Sequence, residues 1–186
     1  MKKIGFLGGT FNPIHNGHIE IARIAAKAAE LDRVILMPAG LPPHKEGNYE
    51  ENANHRLNMV RLAAEGEEGI SVSDYEMKKE GKSYSYLTME HFKEVYKNCE
   101  LYFILGDEAF CQLHTWKNPE RLKAAVKFIV INRDGLDLPE DVIKVKIPPI
   151  EISSTMIRNL VKNGESAEKY LNPKVLEYIK ENGLYR

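Results

Sequence analysis

The chain has 186 residues, of which 28% are charged and 43% hydrophobic, as in an ordinary soluble globular protein, and its length predicts one domain over residues 1–186. The formal net charge of −1 excludes a strong long-range field, so we expect no nucleic-acid or membrane partner, and any anion site has to be local. Two cysteines, and no apolar run of secretory or membrane-spanning length, predict reduced thiols and a cytoplasmic protein.

Short apolar runs alternate with amphipathic segments along the chain. In chain order we predict a strand at 4–7, a helix at 17–30, a strand at 34–37, a helix at 56–65, a strand at 70–73, a helix at 85–97, strands at 101–105, 126–131 and 142–147, and helices at 155–162 and 173–181. The first helix has its apolar stripe at Ile21, Ile24, Ala25, Ala28 and Ala29.

This alternation predicts an α/β fold with a doubly wound, mostly parallel sheet. Ligands of such sheets bind beyond the carboxyl ends of the strands, where the strand order reverses. Residues 8–18 and 106–116 follow two strong strands, and we expect both segments to face the site.

The segment from Gly8 to His18 follows the first strand and opens the first helix. Its glycines let a ligand approach the backbone, and the helix start offers free N–H groups and a partial positive charge to an anion. His15 and His18 are three residues apart, so both rings can meet one ligand, and Gly17 leaves room between them. Taken alone, the segment leaves two alternatives open: a turn with surface histidines, and a zinc site, which needs further ligands.

A second motif, Ile152 to Arg158, lies at the last strand-to-helix junction. The three hydroxyls of Ser153, Ser154 and Thr155 exceed the one that a helix cap needs. Arg158 lies one turn into the helix, where the helix dipole disfavours a cation unless an anion is also bound. A triphosphate would supply that anion, and the planar guanidinium suits it.

With both motifs in view, the chain resembles the nucleotidyltransferases of the H-x-G-H type, through G-T-F-x-P-x-H-x-G-H at 9–18 and I-S-S-T-x-x-R at 152–158. Matches at 42–45, 55–56, 82–84, 115–116 and 182–186 extend the likeness over essentially the whole chain, to bacterial nicotinate-nucleotide adenylyltransferases. The resemblance implies a Rossmann-like nucleotidyltransferase fold. It also implies an enzyme of NAD biosynthesis that transfers the AMP moiety of ATP to nicotinate mononucleotide, giving nicotinate adenine dinucleotide and pyrophosphate.

The resemblance further implies the site residues. Those expected to contact ATP are Gly8, Gly9, Thr10, Phe11, His15, His18, Gly106, Asp107, Ile152, Ser153, Ser154, Thr155 and Arg158, with His15, His18 and Arg158 as the catalytic set. Those expected to bind the mononucleotide are Lys45, Ser83, Tyr84, Ser85 and Trp116. Lys45 has an alternative as a solvated loop lysine, and Trp116 as a core residue. Mg²⁺ is implied on the substrate phosphates, with few or no protein ligands. A homo-oligomer is compatible with the sequence.

Three positions depart from the family pattern. Asn12 stands where aspartate is usual, Glu108 follows Gly106-Asp107 where the family has G-x-D, and Ser85 replaces a threonine while keeping its hydroxyl. The rival functions are transfer to nicotinamide mononucleotide or pantetheine phosphate, a cytidylyl transfer, a nucleotide sensor without catalysis, and a detached domain like those of tRNA synthetases. The complete set of Thr10, the two histidines and Arg158 argues against a sensor, and the absence of a basic face argues against the tRNA alternative.

Overall fold

One parallel sheet of six strands forms the centre of the computed structural model, which describes residues 1–40, 52–79, 81–132, 138–148 and 150–186. Its strands are β1 (Lys2–Gly9), β2 (Arg33–Pro38), β3 (Ile70–Val72), β4 (Cys99–Gly106), β5 (Lys127–Asn132) and β6 (Ile143–Lys146). Their order across the sheet is β3-β2-β1-β4-β5-β6, and every neighbouring pair is parallel. The predicted doubly wound α/β fold is therefore confirmed.

The central strands are apolar on both faces because both faces of the sheet are covered. Alternate residues of β4 show this division: Tyr102 and Ile104 pack into one core layer, whereas Phe103 and Leu105 pack into the other. An apolar run without polar alternation, the pattern that predicted these strands, is what such double burial requires.

The helices of the described chain lie on the two faces of this sheet. They are α1 (Asn16–Ala29), α2 (Ala53–Ala64), α3 (Tyr75–Lys78), α4 (Ser85–Val95), α5 (Asp107–Cys111), α6 (Pro119–Ala125), α7 (Ser154–Lys162) and α8 (Pro173–Glu181), with 3₁₀ turns at Leu113–Thr115 and Glu168–Tyr170. Residues of α1, α2, α7 and α8 share one core layer, and those of α4 and α6 share the other. None of these helices has the length and apolar character needed to span a bilayer.

The sequence prediction missed α3, α5 and α6. These helices have four, five and seven residues. A helix of two turns or fewer does not show a readable 3.6-residue period, so the sequence gives no signal that separates it from a connecting loop.

The predicted apolar stripe of α1 was partly wrong. Ala25 and Ala29 are buried, but Ala28 is exposed, and the buried face continues through Ile19 and Ala22 instead. The two predicted isoleucines of the stripe are half-buried at its edge. Alanine is apolar enough to fit either face of a helix, so the run of alanines did not fix the phase.

The strand order reverses between β1 and β4. The chain moves outward from β1 through β2 to β3, then returns to place β4 on the other side of β1. The carboxyl ends of these two strands, at Gly9 and Gly106, therefore form the crevice in which ligands of such sheets bind.

Candidate active site

The loop from β1 to α1 brings two histidine rings into contact. His15 is the N-cap of α1, with extended backbone angles (φ −142°, ψ 169°). Its ring stacks on that of His18, with ring centroids 3.7 Å apart, and the Phe11 ring meets His18 edge-on at 5.0 Å. The spacing of three residues at a helix start thus places both imidazoles side by side. That both rings meet one ligand stays a prediction.

Both imidazoles are neutral at pH 7. Burial lowers the pKa of His15 to about 4. Burial, and then the neighbouring His15, lower the pKa of His18 to about 3. The His15 backbone N–H donates to His18 Nδ1 at 3.2 Å, so the proton of the neutral His18 ring lies on Nε2. His18 therefore offers a neutral N–H donor rather than a cation.

Two glycines of this loop, Gly9 and Gly17, are required by close packing. A Cβ at Gly17 would lie 2.9 Å from Ile150 Cγ2 and 3.1 Å from His15 Nδ1. A Cβ at Gly9 would lie 2.8 Å from the Phe11 ring. The predicted role of Gly17, to leave space beside the histidines, thus corresponds to space that the imidazole ring of His15 occupies.

The second motif begins α7 and is bonded directly to the first. Ser154 Oγ donates to Pro13 O at 2.8 Å, and Arg158 Nη1 donates to Asn12 O at 2.8 Å. Arg158 Nη2 also donates to Thr155 Oγ1 at 3.1 Å. Ser153 is the N-cap of α7 and accepts from the Met156 N–H, so this hydroxyl fills the ordinary capping role.

Two cavities open at the carboxyl ends of β1 and β4. The first, the histidine cavity, has a volume of about 310 Å³ and contains polar groups of both motifs. It is lined by Leu7, His15, Gly17, His18, Ile21, Leu105, Gly106, Ile131, Ile150, Ile152, Ser153 and Ser154.

The second, the aromatic cavity, has a volume of about 510 Å³. Trp116 and Tyr84 are among the rings of its wall, together with Phe103, which meets the Trp116 ring edge-on at 6.2 Å. Its polar lining includes Thr10, Glu76, Ser83, Ser85 and Lys117. Trp116 is half-buried and directly follows a 3₁₀ turn, so it is neither a core residue nor a free surface ring.

The two cavities share part of their wall. Leu7, Leu105 and Gly106 line both of them. Two different ligands could therefore lie on either side of the β1 and β4 ends and meet at the junction.

The structure distributes the remaining predicted residues unevenly. Gly8, Gly9 and Thr10, which the resemblance assigned to ATP, line the aromatic cavity. Phe11, Asp107, Thr155 and Arg158 line neither cavity. Phe11 supports the His18 ring, and Asp107 is buried, with Oδ1 accepting from the Glu108 N–H at 2.9 Å. Lys45 lies outside the described residues. The assignment of all these residues to ligands stays a prediction.

Sequence reasoning missed a buried arginine beneath the site. Arg56 is fully buried and donates to three carbonyl groups, those of Thr10 at 2.8 Å, Ala39 at 2.8 Å and Gly40 at 3.2 Å. It therefore joins the loops that follow β1 and β2. The only sequence signal was its place in a segment that matches the family.

A buried carboxyl group in the aromatic cavity was also missed. Burial raises the pKa of Glu76, while the hydrogen bond from Thr88 opposes that shift. Thr88 Oγ1 donates to Glu76 Oε1 at 2.8 Å, which joins α3 to α4 across the Ser83–Ser85 segment. Ser83 Oγ, buried near this carboxyl, also opposes the rise in the pKa of Glu76, although it makes no hydrogen bond of good geometry.

The zinc alternative finds no support within the described ranges. Among those residues, no three His, Cys, Asp or Glu side chains are grouped closely enough to hold a metal ion. The additional ligands that His15 and His18 would need are therefore missing from this part of the protein.

Comparison with known proteins places these motifs in a family. The sequence model of the family described as cytidylyltransferase-like matches residues 6–160. Proteins of Clostridium tetani and Clostridium novyi, both named probable nicotinate-nucleotide adenylyltransferase, are 40% and 41% identical to the chain, with 100% of each sequence covered. A solved structure of Plasmodium falciparum nicotinic acid mononucleotide adenylyltransferase, complexed with NaAD, shares the fold with a TM-score of 0.80 at 22% identity, covering 100% of this chain and 98% of that one.

Proposed function

We propose that this chain, which belongs to the nicotinate-nucleotide adenylyltransferases of the cytidylyltransferase-like family, transfers the AMP moiety of ATP to nicotinate mononucleotide. The products are nicotinate adenine dinucleotide, a precursor of NAD, and pyrophosphate. In this reaction a phosphate oxygen of the mononucleotide attacks the α-phosphorus of ATP. The bond from that phosphorus to the oxygen bridging to the β-phosphorus breaks, and pyrophosphate leaves with the electron pair.

The observation that carries the proposal is the pair of cavities with a common wall. A transfer between two nucleotides needs two neighbouring sites whose phosphate groups meet, and Leu7, Leu105 and Gly106 form such a junction. We place the pyridine ring of the mononucleotide in the aromatic cavity, against Trp116, because a flat heterocycle stacks well on an aromatic face. We place ATP in the histidine cavity, with its phosphates toward the junction.

The chemistry that these residues offer suits phosphoryl transfer. A phosphate monoester is already an anion at pH 7, so the attacking group needs no general base, and catalysis rests on positioning and charge stabilisation. His18, neutral with its proton on Nε2, would donate to a phosphate oxygen that gains charge. Arg158 and the hydroxyls at the start of α7 would hold the leaving pyrophosphate.

Mg²⁺ is proposed as the metal that accompanies ATP, held mainly by phosphate oxygens. Such binding suits a site whose described residues group no three metal-ligating side chains. Mg²⁺ commonly keeps several waters and is bound through substrate phosphates with one or two carboxylates. When bound, it would neutralise charge on the triphosphate, while the protein groups orient the reacting atoms.

Selection of the acid mononucleotide is assigned to the segment between α3 and α4. A nicotinate carboxylate requires N–H or O–H donors, and Ser83 provides a buried hydroxyl without a well-formed hydrogen bond in the aromatic cavity. A charge-assisted hydrogen bond to the carboxylate favours the acid over the amide by at least roughly tenfold in kcat/KM.

The test is to incubate the purified protein with ATP, Mg²⁺ and one acceptor at a time, and to identify the product by mass. Nicotinate mononucleotide, nicotinamide mononucleotide and pantetheine phosphate are the acceptors to compare, with CTP replacing ATP in a parallel series. We expect nicotinate adenine dinucleotide as the main product. Equal use of the acid and the amide would refute the acid preference, and no dinucleotide from any acceptor would refute the transferase assignment.

A pair of serine variants sharpens the test of selection. Ser83→Ala should lower the ratio of acid to amide use, whereas Ser166→Ala, in the turn after α7, should leave the ratio unchanged. A ratio unaffected by Ser83→Ala would move the carboxylate site elsewhere in the cavity.

A cytoplasmic location is proposed together with this function. ATP and mononucleotides are intracellular substrates, and Cys99 and Cys111 are both free thiols.

A further inference from the structure

The C-terminal tail is hydrogen-bonded to the loop that carries the two histidines. Tyr185, one residue from the end of the chain, donates its hydroxyl to Asn12 Oδ1 at 2.6 Å. Its backbone lies in the left-handed region, at φ 65°, which a non-glycine residue rarely adopts. The tail is held in this bent path by the Leu184 N–H, which donates to Ile179 O at 3.0 Å.

Asn12 is the point where this tail meets the second motif. Its backbone oxygen accepts from Arg158, while its side-chain oxygen accepts from Tyr185. The adjacent residues are Phe11, whose ring supports His18, and Pro13, whose carbonyl accepts from Ser154. A displacement of Asn12 would therefore be transmitted to Arg158 and, through Phe11, to His18.

The geometry points to Tyr185 as a positioning residue for adenylyl transfer, which acts through Asn12 on the placement of Arg158 and the phosphate-binding loop. This inference rests on the proposed function. Tyr185 does not have to touch either substrate, because its hydroxyl bonds to Asn12 and Asn12 bonds to the guanidinium.

The Tyr185 hydroxyl remains a proton donor over the working pH range. Burial raises its pKa, and the nearby positive charges of Arg158 and Arg56, which would favour the phenolate, do not offset that effect. The hydrogen bond to Asn12 therefore persists at neutral and mildly alkaline pH.

The same hydroxyl is not what holds the tail helix on the protein. α8 is attached through its buried Val175 and Ile179, and through Tyr178, whose hydroxyl is bonded to His55 Nδ1 at 2.9 Å and to Asn58 Nδ2 at 3.0 Å. Tyr185→Phe should therefore fold normally. Tyr178→Phe is a matched control, because it removes a tyrosine hydroxyl from the same C-terminal segment, but one that is bonded to α2 and not to Asn12.

The experiment compares the wild type with Tyr185→Phe, Asn12→Ala, their double variant and Tyr178→Phe. For Tyr185→Phe we expect KM for ATP to rise, or kcat to fall, by roughly fivefold to tenfold, the scale of one net hydrogen bond. KM for nicotinate mononucleotide should change by less than about twofold, since that ligand lies on the other side of the junction. Tyr178→Phe should keep the wild-type kinetic constants.

The double variant tests whether Tyr185 acts through Asn12. We expect Asn12→Ala to show a defect similar to that of Tyr185→Phe, and the double variant to be no worse than either single variant. Multiplication of the two single defects would overturn the inference. So would identical kinetics in Tyr185→Phe and the wild type, or equal defects in Tyr185→Phe and Tyr178→Phe.

Titration with ATP and Mg²⁺, without acceptor, separates this inference from the proposed function. A wild type that makes no nicotinate adenine dinucleotide refutes the proposed function, and ATP affinity then decides the present inference alone. Weaker ATP binding in Tyr185→Phe and Asn12→Ala, but not in Tyr178→Phe, supports it. If the wild type is inactive in the transfer, equal ATP affinity in the wild type and these three variants overturns it.

Discussion

Replacement of His18 by alanine is the most direct test of the proposal that His18 donates a hydrogen bond in the transition state. The neutral ring accepts the His15 N–H at Nδ1, and its pKa of about 3 leaves it unprotonated at pH 7. His18→Ala therefore removes one fixed Nε2–H donor. The expected defect is that of a lost transition-state hydrogen bond.

The size of this defect follows from what one such donor contributes. Loss of a single preorganised donor to a developing oxyanion costs about 2.7–4 kcal/mol, or roughly two to three orders of magnitude in kcat. The contact of Phe11 with the ring and the bond from the His15 N–H are lost as well. Those contacts affect stability by about 1 kcal/mol, so the thermal melt should shift only slightly.

The assay is steady-state formation of nicotinate adenine dinucleotide at saturating ATP and acceptor, with His91→Ala as the control. His91 is exposed on α4, where its ring stacks on Tyr75 at 4.0 Å, so the same substitution there should leave kcat near the wild-type value. Turnover of His18→Ala within about tenfold of the wild type would refute the role of His18 as a transition-state donor.

Three further predictions concern protonation, the buried arginine and the tryptophan. In the unfolded chain, His15 and His18 have their ordinary pKa of 6.5 and take up protons as the pH falls from 6.5 to 5. In the folded protein their pKa values are about 4 and about 3, so they stay mostly unprotonated over this range. Stability should therefore drop by roughly 1–2 kcal/mol per histidine, and His15→Asn should flatten this slope in denaturant titrations. Arg56→Met leaves three carbonyl groups without their donor and should cost roughly 3–5 kcal/mol of unfolding free energy, while a loss below about 1 kcal/mol would contradict its clamping role. Trp116→Ala should raise KM for the mononucleotide roughly fivefold to a hundredfold. In the wild type, the fluorescence of this sole tryptophan should change when the mononucleotide binds and change much less with ATP alone. Fluorescence that does not change with the mononucleotide would show that Trp116 does not contact the acceptor.

The fold was largely predictable from the sequence because its signals are local. Each central strand is a run of apolar residues that must be covered on two faces, and the glycine-rich turn after β1 marks where the backbone approaches a ligand. The phase of α1 was not predictable with the same certainty. Ala28 is as apolar as Ala29, and only the packing of neighbouring elements leaves one exposed and buries the other.

The buried charges near the site could not be read from any local pattern. Arg56 occupies a helix position that periodicity alone would give to an apolar residue, and it is tolerated there because loop carbonyls accept hydrogen bonds from both of its terminal nitrogens. Glu76 is likewise paired with Thr88 from another helix. Such residues depend on partners supplied by distant segments, so their roles appear only when the tertiary structure is known.

Arg158 shows how the sequence and the structure complement each other at the site. The motif predicts a guanidinium that is suited to a phosphate, and the structure adds that two of its N–H groups already bond to Asn12, 146 residues away, and to Thr155. These findings are compatible, because a guanidinium carries five N–H donors in a fixed plane. Bonds to the protein hold that plane before a ligand arrives, which lowers the conformational entropy lost on binding. Lysine carries the charge, but its ammonium group lacks the planar fork that can bond to the protein and to a phosphate at the same time. The bond to Asn12 therefore gives a reason for arginine at this position that the local motif alone does not show.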